Sequence, residues 1–133
     1  MIDTSAWIEI FCASEVGGVI LEHIKLSDKN LTPTIVLAEL RRAYWRRPFL
    51  DSESFYDDLE TIKRLSDIVN EIDERNAISA GDKYAKIHTA KNDISHIDCM
   101  LWILAEDFEC KVISTDGHFK DCPVAIYFDK EKT

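Results

Sequence analysis

Residues Cys99-Met100-Leu101-Trp102-Ile103-Leu104-Ala105 form an unbroken apolar run in the last third of the chain. Ser95 stands ahead of it at a helix-capping position, and Asp98 follows three residues later, which resembles a capping box with Asp in place of the usual Glu. The run therefore reads as a helix, and a helix that is apolar all round has to be enclosed by other elements. The elements on offer are helices alternating with very short strands. Met1–Asp3 is a brief apolar opening. Thr4 or Ser5 caps a helix reaching about Cys12, and Val16–Lys25 forms a second, weakened by Gly17 and Gly18. Leu31–Thr32 is a short strand before Pro33. Thr34 caps a helix from Ile35 to about Arg46, which Pro48 stops. Phe55, Leu59, Ile62, Leu65, Val69 and Ile72 make a stripe at helical spacing, which predicts one long helix over 55–72. Ala77–Lys91 is another amphipathic helix, and Lys111–Ser114 and Val124–Phe128 are strands. Short strands separated by helices imply an α/β protein with a parallel sheet, whose ligands lie at the carboxyl ends of the strands.

Four carboxylates sit where this pattern asks for something else. Asp3 ends the first strand, Glu39 shares a helix face with Ile35 and Val36, Asp98 opens the apolar helix, and Asp116 follows a strand. Carboxylates near a core are costly unless paired, hydrogen-bonded or bound to a metal. Each has an ordinary alternative. Asp3 and Asp98 suit helix starts, Glu39 suits the edge of an apolar stripe, and Asp116-Gly117 suits a turn. If the four converge, they make a site for a hard divalent cation such as Mg²⁺ or Mn²⁺. Asp3, Asp98 and Asp116 would hold it, Glu39 would ligate or orient water, and Ser5 and Ser114 would fix the carboxylates.

The 133 residues suit one domain, 1–133, and 46% hydrophobic residues suffice for a core. A formal net charge of −9 argues against nucleic-acid binding through overall charge, though not through a local groove. Such a strip exists in Arg41-Arg42-Ala43-Tyr44-Trp45-Arg46-Arg47. Arginines pair with phosphate and aromatics stack on bases, while the plain alternative is a solvated basic face. Arg42 and Arg46, four apart, share a face and are the expected phosphate pair; Arg41 and Arg47 are assigned to dimer or partner contacts. The acidic stretch Asp51–Glu60 reads as a solvated face. His96 and His118 lie near the acids in sequence and are candidates for substrate contact. Cys12, Cys99, Cys110 and Cys122 lack zinc-like spacing and read as buried free thiols. No run approaches the 18 apolar residues of a membrane span, and the opening lacks a basic leader, so the expected location is the cytoplasm.

The chain resembles the PIN-domain nucleases, most closely the VapC-type toxins of toxin–antitoxin pairs. Ile2-Asp3-Thr4-Ser5-Ala6 looks like their first motif and Ile35-Val36-Leu37-Ala38-Glu39-Leu40 their second. Ile97-Asp98 with the buried helix looks like the third, and Ser114-Thr115-Asp116-Gly117-His118-Phe119 the fourth. The sequence departs in three places. His118 stands where many members carry a further aspartate, Ser114 stands for threonine, and the first strand is short.

The resemblance implies a three-layer fold with a central parallel sheet of four to five short strands flanked by helices. It implies a metal-dependent endoribonuclease acting on single-stranded or looped RNA and leaving a 5′-phosphate and a 3′-hydroxyl. It also implies a homodimer, for which Trp7, Phe11, Tyr44 and Trp45 are surplus aromatics, and an antitoxin that blocks the site. The alternative is a catalytically weak PIN-like RNA-binding or RNA-processing module. A phospho-acceptor domain would want an acidic doublet after the first strand, where this chain has Thr4 and Ser5.

Overall fold

Most of the long helices begin at a residue that satisfies one of their orphan amides. In the computed structural model, which describes residues 1–47, 50–70 and 72–132, α1 (Thr4–Phe11) is capped by Asp3, whose carboxylate accepts from the Thr4 amide. The cap is thus Asp3 rather than Thr4 or Ser5: an acid one residue earlier already meets the free amide. Ser14 caps α2 (Glu15–Leu26) and Asp73 caps α5 (Glu74–Ile87), which starts and ends earlier than its apolar pattern predicts. Ser95 and Asp98 form a full capping box on α6 (His96–Asp107). Two helices lack a side-chain cap bond, α4 (Phe55–Leu65) and α3 (Thr34–Arg46). Pro33 occupies the cap position of α3, and Thr34 lies inside the helix. α3 ends at Arg46 as expected, while the proposed stop, Pro48, lies outside the described residues.

The long helix predicted over 55–72 is two elements. α4 (Phe55–Leu65) ends at Ser66, and Asp67–Val69 is a strand, β2. Val69 and Ile72 continue the helical spacing by coincidence. Asp67–Val69 pairs in parallel with β1 (Leu31–Pro33), and the ladder outweighs the local period. β3 (Val112–Ser114) pairs in parallel with β4 (Ala125–Tyr127). The opening residues join the two pairs. Ile2 N–H donates to Leu31 O at 2.8 Å, Ile113 N–H to Met1 O at 2.7 Å, and Asp3 N–H to Ile113 O at 3.0 Å. Five short segments therefore lie side by side in the order β4, β3, Met1–Asp3, β1, β2, with helices around them.

α6 explains its own composition. Leu101, Leu104 and Ala105 enter the main core, while Cys99 packs with Ala80 and Ile94 in a second cluster that Met100, Trp102 and Ile103 flank. At Gly17 a Cβ would collide with the Glu9 carbonyl, so the missing side chain lets α2 start against α1. Trp7 and Tyr44 are buried and Phe11 half-buried against Trp7; of the four aromatics proposed as surplus, only Trp45 is exposed. All four cysteines are free thiols, but only Cys99 and Cys122 are buried. No single helix among the described residues is long and apolar enough to cross a membrane.

Candidate metal centre

Asp3 and Asp116 reach one edge of the sheet because each follows a segment of the central ladder, Ile2 and β3. Asp3 is only 3% exposed, and its oxygens are filled. Oδ1 accepts from Thr4 N–H at 2.7 Å, and Oδ2 accepts from the hydroxyls of Ser5 at 3.0 Å and Ser114 at 2.7 Å. The same two hydroxyls accept in turn from Thr115 N–H at 3.0 Å and Asp116 N–H at 2.9 Å. Ser5 and Ser114 therefore tie the segment around Asp3 to the turn around Asp116. Glu39 is half-buried on α3 and accepts from the Thr4 hydroxyl at 2.6 Å. Asp98, buried in the first turn of α6, accepts from the Ser95 amide at 3.3 Å.

The charges feel one another. Burial first, then the nearby Asp98 and Glu39, push the Asp3 pKa up to about 7 against the pull of its two serine hydroxyls. Burial likewise raises Glu39, with Asp98 and Asp116 adding to the effect and Thr4 opposing it. Burial and then Asp116 raise Asp98. The four acids foreseen in the sequence thus share one electrostatic environment. Among the described residues, however, the donors that come within 4.8 Å of one another belong to Asp98, Asp116 and His118. Asp3 and Glu39 flank that group.

His118 follows Asp116 on a single 3₁₀ turn, its N–H donating to Asp116 Oδ1 at 2.9 Å. Its Nδ1 lies 3.0 Å from Asp116 Oδ1 and 3.4 Å from Asp98 Oδ2. By distance these are ion pairs, yet the atom is enclosed and makes no hydrogen bond among the described residues. A hydrogen bond weakens steeply when misaligned, so proximity alone leaves Nδ1 unsatisfied. Nε2 is held by Asp93 Oδ1 at 2.6 Å. Burial acts to lower the His118 pKa, but Asp93, Asp116 and Asp98 outweigh it and the net shift is upward. Asp93 was missed in the sequence, since it lies in a loop between α5 and α6 with no periodicity to mark it. His96 does not join the acids; its ring stacks on Tyr84 at 3.7 Å.

A divalent ion fits this donor set. Ligands about 2.1 Å from one octahedral ion lie about 3–4.2 Å apart, close to the spread of the three donors. Two carboxylates, an orphaned ring nitrogen and a third carboxyl driven towards neutrality first by burial and then by neighbouring acids all favour an added positive charge.

Beside Glu39 runs a groove of about 400 Å³ lined by Thr4, Ile8, Glu39, Arg42, Ala43, Arg46 and Arg47. Arg42 and Arg46 share it as their spacing predicts, and Arg47 joins them. Arg41 points elsewhere, donating to Ser52 O at 2.7 Å and lying over Trp45, Phe55 and Tyr56.

No curated protein sequence matches the chain. Among solved structures it is similar to a toxin–antitoxin complex from Klebsiella pneumoniae, with a TM-score of 0.67 and 16% identity over 94% of this chain and 93% of that one. It is also similar to VapBC2 from Rickettsia felis bound to a DNA fragment from their promoter, with a TM-score of 0.72 and 17% identity over 96% of each chain. At such identities the likeness is one of fold. The PIN domain family model matches residues 1–124, a span that takes in all four acids, and the chain belongs to the PIN-domain family.

Proposed function

We propose that this chain is a divalent-metal-dependent endoribonuclease, the toxin of a type II toxin–antitoxin pair. The observation that carries the reading is the meeting of Asp98, Asp116 and His118 beside buried Asp3 and half-buried Glu39 in a PIN-family chain. Asp98 and Asp116 would hold Mg²⁺ or Mn²⁺, with Asp3 as the third carboxylate acting through water. A bound ion supplies Lewis acidity, lowering the pKa of water and steadying charge on the phosphate. Glu39, oriented by the Thr4 hydroxyl, positions the attacking water and takes its proton. Ser5 and Ser114 lock the Asp3 carboxylate. Arg42 and Arg46 hold substrate phosphates along the groove.

The partners are RNA, a second copy of the chain and an antitoxin, and the setting is the cytoplasm. The toxin–antitoxin complexes among the similar structures support the antitoxin. The test is cleavage of a fluorescent single-stranded RNA with Mn²⁺ or EDTA. Wild type cleaves only with metal. Asp98→Asn loses at least the roughly 10²–10³-fold typical of one transition-state electrostatic group, with an unchanged or raised melting temperature in EDTA, because a repelling charge is gone. Intact RNA after incubation of metal-loaded wild type would reduce the protein to a binding module.

A further inference from the structure

The His118–Asp93 pair has no place in the four-acid scheme. Asp93 is exposed, yet its carboxylate meets Nε2 of a half-buried ring at 2.6 Å. A carboxylate that accepts Nε2–H fixes the tautomer and leaves the Nδ1 lone pair on the opposite side of the ring. That side faces Asp116 Oδ1 at 3.0 Å and Asp98 Oδ2 at 3.4 Å. Nδ1 is enclosed and makes no hydrogen bond among the described residues. Two carboxylate oxygens and a ring nitrogen facing one another offer lone pairs in common, which a cation satisfies and a hydrogen bond in this alignment does not. The position is held by backbone as well as by Asp93. The His118 amide is bonded to Asp116, and Phe119, next in the same 3₁₀ turn, is fully buried.

From this geometry we infer that His118 Nδ1 is a direct metal ligand, positioned by Asp93, and that it biases the site towards transition ions such as Mn²⁺ over Mg²⁺. The inference rests on the metal-site reading above and adds a nitrogen donor to it. Mg²⁺ takes oxygen ligands and gives up water reluctantly, whereas imidazole suits transition metals. Asp93 acts through His118 and not on the ion, so it is a positioning residue.

The test uses the full chain, with Mn²⁺ and Mg²⁺ as probes and no RNA. Calorimetric titration gives both affinities, and pulsed electron paramagnetic resonance of the Mn²⁺-loaded protein reports directly bound ¹⁴N. Wild type shows the nitrogen coupling. His118→Asp keeps Mn²⁺ binding but loses the coupling, and its ratio of Mn²⁺ to Mg²⁺ affinity falls by about tenfold or more, the scale on which groups around a metal act. Asp93→Ala, at an exposed position, weakens Mn²⁺ by about 10–100-fold. Asp93→Asn keeps an acceptor opposite Nε2 and recovers part of that loss together with the coupling. Mn²⁺ bound without nitrogen coupling in wild type, or an affinity ratio unmoved by His118→Asp, overturns the inference while leaving a metal-dependent nuclease intact. Nitrogen coupling in a protein that leaves RNA uncut upholds the inference and sinks the proposed function. No Mn²⁺ binding at all overturns both.

Discussion

The two halves of the site are built on opposite terms. The inner half, Asp3 with Ser5 and Ser114, is closed: Asp3 is 3% and Ser114 0% exposed, and each carboxylate oxygen has a donor. The outer half, Asp98 and Asp116 with His118 and Asp93, opens progressively to solvent, and its enclosed ring nitrogen makes no hydrogen bond among the described residues. A satisfied buried network is rigid, whereas lone pairs that face one another create demand for a cation. The inner half is therefore a mount and the outer half the docking face. That division is open to attack at several points.

The largest expected effect is on stability without metal. Burial lifts the Asp3 pKa to about 7, well above its unfolded value near 3.9. The folded state then binds the proton more tightly than the unfolded state. Stability from this group is full at low pH and is lost as pH rises through about 7. Between pH 5 and pH 8 the loss from Asp3 alone is roughly 2.5 kcal/mol. The upward shifts of Asp98, Glu39 and His118 act in the same direction. Urea unfolding in EDTA should show this decline, Asp3→Asn should flatten it, and Mn²⁺ should restore stability at pH 8. A metal-free protein equally stable at both pH values would mean that the inner half is not closed.

Serine substitutions grade the same contrast. Ser114→Ala removes a buried donor to Asp3 and the acceptor of the Asp116 amide, at a cost of about 1–3 kcal/mol. Ser95→Ala in the outer half removes the cap of α6, at about 1 kcal/mol. Asp93→Ala, on an exposed loop, should change the melting temperature hardly at all. Denaturant midpoints of the three variants check the order, and an equal loss in all three would erase the distinction.

The acids of both halves were legible. Asp3, Glu39, Asp98 and Asp116 announced themselves because each broke a local pattern that Ile2, Val36, the apolar run of α6 and β3 had set. Ser95 and Asp98 were legible as a capping box because that device is local. The pairing of His118 with Asp93 was not. Asp93 meets His118 across 25 residues, a pairing made by how the loop between α5 and α6 lies against the turn after β3, which no spacing records. For the same reason the helical stripe overruns the end of α4. The choice between helix and strand at Asp67–Val69 is made by β1, 36 residues earlier, through the ladder Leu31↔Asp67. Patterns set by neighbours in sequence were readable, and those set by neighbours in space were not.

The smallest expected effect lies outside both halves, in the basic groove. A net charge of −9 repels RNA at long range, so binding has to come from the few cations next to the acids. Arg42 and Arg46 are exposed on α3 and line the groove with Glu39, whereas Arg41 is engaged with Ser52 O and three aromatic rings. Replacing Arg42 and Arg46 together by Ala should lower RNA affinity and flatten its salt dependence by about 0.7 per lost phosphate contact on a log–log plot. Arg41→Ala should leave that slope alone and instead loosen the packing of α3 on Phe55. Metal affinity should be unchanged in both variants, because neither touches Asp98, Asp116 or His118. Salt titrations of binding in EDTA, with uncut RNA, separate these outcomes. An unchanged slope in the double variant would mean that RNA does not reach the metal along α3, and that the docking face is approached from the side of Asp93.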